Sequence, residues 1–220
     1  MVTDAGRVAK FGLGGLVGLA LGAGLVGGAW LIAGDADQSV PSGTAGARAV
    51  PGADLSAPEK LGGFLHQDQA VLDLGKGADG QETADRNRAW DSESGERLSE
   101  AYGGAAAVVQ TYSDSSLESF FQLAAVRGPT PRPYVPYEDA KVLGLERPTN
   151  ELVTFGKVDC VVHNLPTNAG DEPDSDSVST VSCQRGDADL TVLVRNSTGD
   201  VAHEPSQVAR LVDEAWGELT

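Results

Sequence analysis

Hydrophobic positions along this chain fall into three patterns: one unbroken run, a series of alternating segments and one helical stripe. The unbroken run, Phe11 to Gly34, holds twenty-four residues without a charge or a proline. A helix of that length rises about 36 Å, enough to cross a hydrocarbon layer of roughly 30 Å with some tilt. Helix is also the local solution that pairs every backbone group within the segment. The stripe lies at the other end. Over Pro205 to Leu219 a proline suits the first turn, and Val208, Leu211, Val212, Ala215, Trp216 and Leu219 recur at helical spacing, so this helix is predicted to cover a sheet.

Alternation supplies the sheet. Ala105 to Ser113 and Leu117 to Arg127 read as strands joined by Asp114-Ser115-Ser116, with Phe121, Leu123 and Ala125 on one face. Glu151 to His163 changes phase, because Val153 and Phe155 are odd whereas Val158, Cys160 and Val162 are even. A period of two interrupted at a glycine predicts a bulge or sharp bend at Gly156. Val178 to Arg185 and Leu190 to Arg195 complete about five strands, with Val181 and Cys183 expected on one face.

The remaining segments connect these. Glu82 to Tyr102 is charged and proline-free and predicts a helix that brings Trp90, Leu98, Ala101 and Tyr102 to one side. Gly95 inside it costs about 1 kcal/mol relative to alanine and allows a break there. Four prolines between Gly128 and Pro136 remove amide donors and restrict the residues before them, so that stretch is an extended crossover, followed by a short helix over Glu138 to Leu143. Asn164 to Ser177, with its prolines, glycine and acids, is a loop. Leu61 to Leu74 begins the domain, and Asp35 to Lys60, almost without large apolar groups, is a flexible tether.

Charge gives the run a direction. Arg7 and Lys10 precede it and Asp35 and Asp37 follow it, which places residues 1–10 in the cytoplasm, 11–34 in the cell membrane and 61–220 outside. A cleaved secretory signal is the alternative, with Gly34-Asp35-Ala36 as a cleavage site, although signal cores run about 7 to 15 residues. Within the span Gly14, Gly18 and Gly22 share one face, the small-xxx-small arrangement through which two helices could pair into a homodimer.

Beyond Gly34 the chain carries 14 basic against 31 acidic side chains, a net of −17. Such a surface repels phosphate backbones and excludes nucleic acid as a partner. Two cysteines in an exported chain predict one disulfide, Cys160 to Cys183, if their strands are antiparallel neighbours. His66, His163 and His203 are scattered, and no metal or cofactor is expected. Asp171 to Asp176 lacks the glycine and closing glutamate of a calcium loop, and Gly75-Lys76-Gly77 lacks the spacing of a phosphate loop. No nucleophile elbow, H-E-x-x-H pair or dinucleotide turn is present.

The segments Leu61-Gly62-Gly63-Phe64, Ala101-Tyr102-Gly103-Gly104, Cys160-Val161-Val162-His163-Asn164 and Val181-Ser182-Cys183-Gln184-Arg185, with the closing Trp216, resemble uncharacterised single-pass membrane proteins of high-GC Gram-positive bacteria. The resemblance implies an architecture and carries over no activity, cofactor or site residue. The expectation is therefore an α+β domain on a transmembrane anchor, its mainly antiparallel sheet covered by the Glu82 and Pro205 helices. Its expected role is non-catalytic binding of an unknown protein or small-molecule partner. A carboxylate-dependent envelope hydrolase is the alternative, because acids abound and their pairing is spatial.

Overall fold

The computed structural model describes residues 55–75 and 77–220. Phe11 to Gly34, with Gly14, Gly18 and Gly22, and the tether as far as Asp54 lie outside the described residues. Among those described, no helix is long and apolar enough to cross a membrane.

The domain is α+β with one antiparallel sheet of eight strands rather than about five. These are β1 (Lys60–Leu61), β2 (Phe64–His66), β3 (Ala107–Ser113), β4 (Phe120–Val126), β5 (Asn150–Phe155), β6 (Val158–Asn164), β7 (Val178–Gly186) and β8 (Thr191–Arg195), in the spatial order β1-β2-β3-β4-β8-β7-β6-β5. Two of the extra strands form a small hairpin at the start of the domain, and the third arises at Gly156. The phase change there is a full reversal: Phe155 pairs with Val158, and Gly156, at φ 61°, opens a two-residue turn between β5 and β6. One strand bent at a glycine becomes two.

The bulge lies elsewhere. Val161 pairs with Ser182 and Val162 with Thr180, which leaves Val181 as the extra residue of β7. Val181 is accordingly 49% exposed while Cys183 is buried, so the two do not share a face as expected. The slip turns Thr180 inward beside Val162.

Among the described residues four helices accompany the sheet: α1 (Gln67–Leu74), α2 (Ala78–Ala101), α3 (Ala140–Leu143) and α4 (Pro205–Leu219), with a 3-10 turn at Gly199–His203. Cross-strand pairing puts Tyr112, Phe121, Leu123, Val194, Cys183 and Cys160 on one face, and α4 packs against β6, β7 and β8 there. Every residue of the α4 stripe is buried. No side chain caps its N-terminus, an omission of about 1 kcal/mol, whereas burying each Val or Leu of the stripe is worth about 2 kcal/mol, so packing decides that this helix forms. Its C-terminal half is tied down by Gly62 N–H donating to Glu214 Oε1 at 3.0 Å and by Arg127 Nη2 donating to the Leu219 carbonyl at 3.1 Å.

Cys160 and Cys183 form the disulfide across directly paired positions of β6 and β7, with Cα atoms 4.0 Å apart. Both are fully buried under the start of α4. The opposite face of the sheet carries the proline-rich crossover, where Arg132 grips Asp159 through two hydrogen bonds of 2.6 and 2.7 Å. That forked contact holds the Asp159 carboxyl below its ordinary range against the opposing effect of partial burial.

Candidate functional site

The sheet has an incompletely paired margin. Strand β2 meets β3 only at Ser113 and Tyr112, so among the described residues Ala107 to Thr111 present an edge with no strand beside it. An exposed edge recruits other chains unless something covers it. Helix α2 provides that cover. Its buried residues Ala84, Asp91 and Gly95 recur at i, i+7 and i+11 along one face, and the helix packs against both α1 and β3. Trp90, expected on the packed side, is 62% exposed.

Two of those three small residues explain the fit. Asp91 Oδ2 accepts the Thr111 amide at 2.8 Å and Asp91 Oδ1 accepts its hydroxyl at 2.7 Å, while Gln110 Nε2 donates to Oδ2 at 3.2 Å. Burial pushes the Asp91 carboxyl above its ordinary range, and the bonds from Thr111 only partly offset this. Gly95 keeps the helix close. A Cβ built there would lie 3.5 Å from the Val109 amide nitrogen, so the helix backbone runs against the strand without breaking at the glycine.

Parity then fixes which backbone groups face the helix. The Arg127 amide donates to the Ala106 carbonyl on the β4 side, and the Thr111 amide points to Asp91 on the other. Odd residues of β3 therefore turn their amides and carbonyls outward. At Ala107 and Val109 they meet the Gly95 backbone, since a Cβ there would lie 3.9 Å from the Ala107 carbonyl oxygen and 3.5 Å from the Val109 amide nitrogen, and a groove of about 700 Å³ lies between α2 and β3. One wall is Ala106 to Val109 with Leu55, and the other is the Ser92, Glu96 and Glu100 face of α2.

The helix wall is electrostatically one-sided. Of the three arginines in α2, Arg86 lies over the Trp90 ring, Arg88 pairs with Asp68 and Asp85 at 2.9 Å each, and Arg97 pairs with Glu93 at 2.8 Å. Glu96 and Glu100, four residues apart on the groove side, make no salt bridge among the described residues.

Chemically the groove can bind and is poorly equipped to react. Both Asp91 oxygens are engaged by donors, and Ser92 and Ser99 have no histidine beside them in its lining. The nearest titratable neighbours are held elsewhere. Tyr112 donates its hydroxyl to the Pro58 carbonyl at 2.6 Å, His66 Nε2 lies 2.7 Å from the same oxygen, and the two rings meet edge to face. Burial, with Asp91 and Glu214 adding to it, raises the Tyr112 phenol. Among the described residues no group of three or more His, Cys, Asp or Glu side chains could hold a metal ion.

The cysteines singled out from sequence do not line this groove; they close the core beneath α4. Glu96 and Glu100 escaped the sequence reading, since acids abound and only the packing of Gly95 shows which helix face meets the strand. Comparison with protein-family models, with curated proteins and with solved structures finds no match.

Proposed function

We propose that the chain is a membrane-anchored extracytoplasmic binding module without catalytic activity, held by a Phe11–Gly34 span with its N-terminus in the cytoplasm. The uncharged run and its basic flank support the anchor. A buried disulfide accords with an oxidising compartment on the far side. The segments that resemble uncharacterised single-pass membrane proteins of high-GC Gram-positive bacteria point the same way.

The observation that carries the binding role is the open groove between α2 and β3, lined by Ala106 to Val109 on one side and by Ser92, Glu96 and Glu100 on the other. Convergent polar groups in a concavity are how ligands are oriented. The hydrolase alternative has less support, because the buried carboxylate in this groove already accepts three hydrogen bonds.

Two measurements test the reading. Protease added to sealed cells should remove the domain and leave an N-terminal tag intact; a protected domain would contradict the orientation, and a mature chain starting at Asp37 would replace the anchor with a secreted protein. A photoreactive side chain at Ser92 should then cross-link a partner in those cells, and one at Glu218 should not. Equal yields from the two positions would remove the groove from the function.

A further inference from the structure

We propose that the crossover between β4 and α3 displays Pro133-Tyr134-Val135-Pro136-Tyr137 as a polyproline-type ridge that docks into an aromatic-lined, cationic groove of a partner protein. The ridge shares no residue with the groove between α2 and β3. Its backbone is fixed by composition: Pro129, Pro131, Pro133 and Pro136 each hold φ near about −65°, and the residue before each is steered to extended geometry. Such a chain repeats every three residues, and the contacts of this one follow that period. Arg132 reaches Asp159 and Thr154, Val135 is half-buried, and Glu138 accepts the Thr149 amide at 2.7 Å and its hydroxyl at 2.8 Å. Every third side chain thus fastens one edge of the segment to the domain.

The other edges are left for a partner. Tyr134 and Tyr137 share the second edge, about 9 Å apart along a polyproline helix, and are 81% and 88% exposed. Pro133 and Pro136 share the third. No backbone–backbone hydrogen bond involves residues 133–137, so their carbonyls stand free to accept donors. Aromatic side chains anchor interfaces, and a backbone already held in its extended form loses little freedom on binding. The surface that matches is a groove between aromatic rings, which seats the prolines and offers indole or phenol donors to the carbonyls. Charge gives that surface its sign. Exposed Asp139 follows Tyr137, Arg132 is already paired with Asp159, and residues 55–220 carry 13 basic against 28 acidic side chains, a net of −15. A second copy of this chain or an anionic membrane is repelled, and a cationic rim is attracted.

The test places a photoreactive side chain at Tyr134, Tyr137 or Val135 of the full-length chain in the cells that make it. The two tyrosine positions should cross-link the same protein, labelled between aromatic side chains, and Val135 should give little product. With that protein purified, Tyr134→Ala and Tyr137→Ala should each lose about tenfold in affinity, and binding should weaken as salt rises. The Pro133→Ala, Pro136→Ala double variant should also lose about tenfold with both tyrosines in place and its urea midpoint unchanged. An adduct with glycan, lipid or a second copy, equal yields at Val135 and Tyr134, or tyrosine variants that bind as the parent does would each overturn the ridge. A partner captured from Ser92 and from neither tyrosine would overturn it as well while leaving the groove between α2 and β3 its role.

Discussion

Asp91 holds Thr111 twice, taking the backbone amide on one carboxylate oxygen and the hydroxyl on the other, so that a helix side chain pairs an outward backbone group of β3. Removing the carboxylate leaves a buried amide and hydroxyl without a partner. Hydrogen bonds to a charged acceptor are worth about 1.5 to 3 kcal/mol each, and part of that is offset by the burial of the charge. Asp91→Ala should cost about 3 kcal/mol in urea unfolding. Asp91→Asn, which keeps one acceptor, should cost about half as much, and an unchanged midpoint for either variant would refute the role given to this contact.

The Gly95 contact distinguishes alanine from larger residues. At 3.5 Å from the Val109 nitrogen an added Cβ is in ordinary van der Waals contact, so Gly95→Ala gains helix propensity without a clash and should stabilise the domain by up to about 1 kcal/mol. Gly95→Leu has no room against the strand backbone and should destabilise it by about 2 kcal/mol. Thermal denaturation of the pair should move in opposite directions.

Cys160 and Cys183 enclose a loop whose sequence separation is 23. Constraining such a loop in the unfolded chain is worth about 3 kcal/mol, so the double Cys→Ala variant should unfold at correspondingly lower urea. Both cysteines are fully buried, which blocks attack on the bond in the folded state. Mass spectrometry after a mild reductant and alkylation should find no labelled thiol until denaturant is added.

Two carboxylates give the domain opposing responses to pH. At Asp114 burial raises the carboxyl, but bonds from the Glu118, Ser119 and Ser116 amides and the Ser116 hydroxyl together hold it below its ordinary value, near 3.9 for an unperturbed aspartate. Its contribution is complete above that value and is lost as pH falls through the lowered one. Asp91 is shifted the other way by burial. The folded state therefore binds its proton more tightly than the unfolded chain does, and stability declines as pH rises from the ordinary value through the raised one. Urea midpoints followed against pH should lose the acid-side decline in Asp114→Asn and the alkaline-going decline in Asp91→Asn; identical profiles for all three proteins would exclude both assignments.

The sequence announces α4 almost without error, because six apolar residues at helical spacing have one physical use, to cover a sheet, and all six are buried. The helix α2 defeats the same reasoning. Its buried residues are Ala84, Asp91 and Gly95, of which Asp91 and Gly95 meet the β3 backbone where an apolar stripe would meet side chains, and its tryptophan stays in water. Strand parity located both cysteines on the covered face but misplaced Val181, because a bulge is set by the register of two neighbouring strands and leaves no mark on the alternation of one. The phase change at Gly156 was visible, while its extent was not: a tight turn and a bend disturb the period alike. The groove was hidden for a further reason, as only the packing of α2 on β3 brings Glu96 and Glu100 to its wall.

Leu55 stands in the wall of the groove and also packs against the hydrophobic core that α4 covers. A truncation at this one position would therefore loosen two surfaces together, the cleft beside α2 and the apolar interior on the other side of the residue.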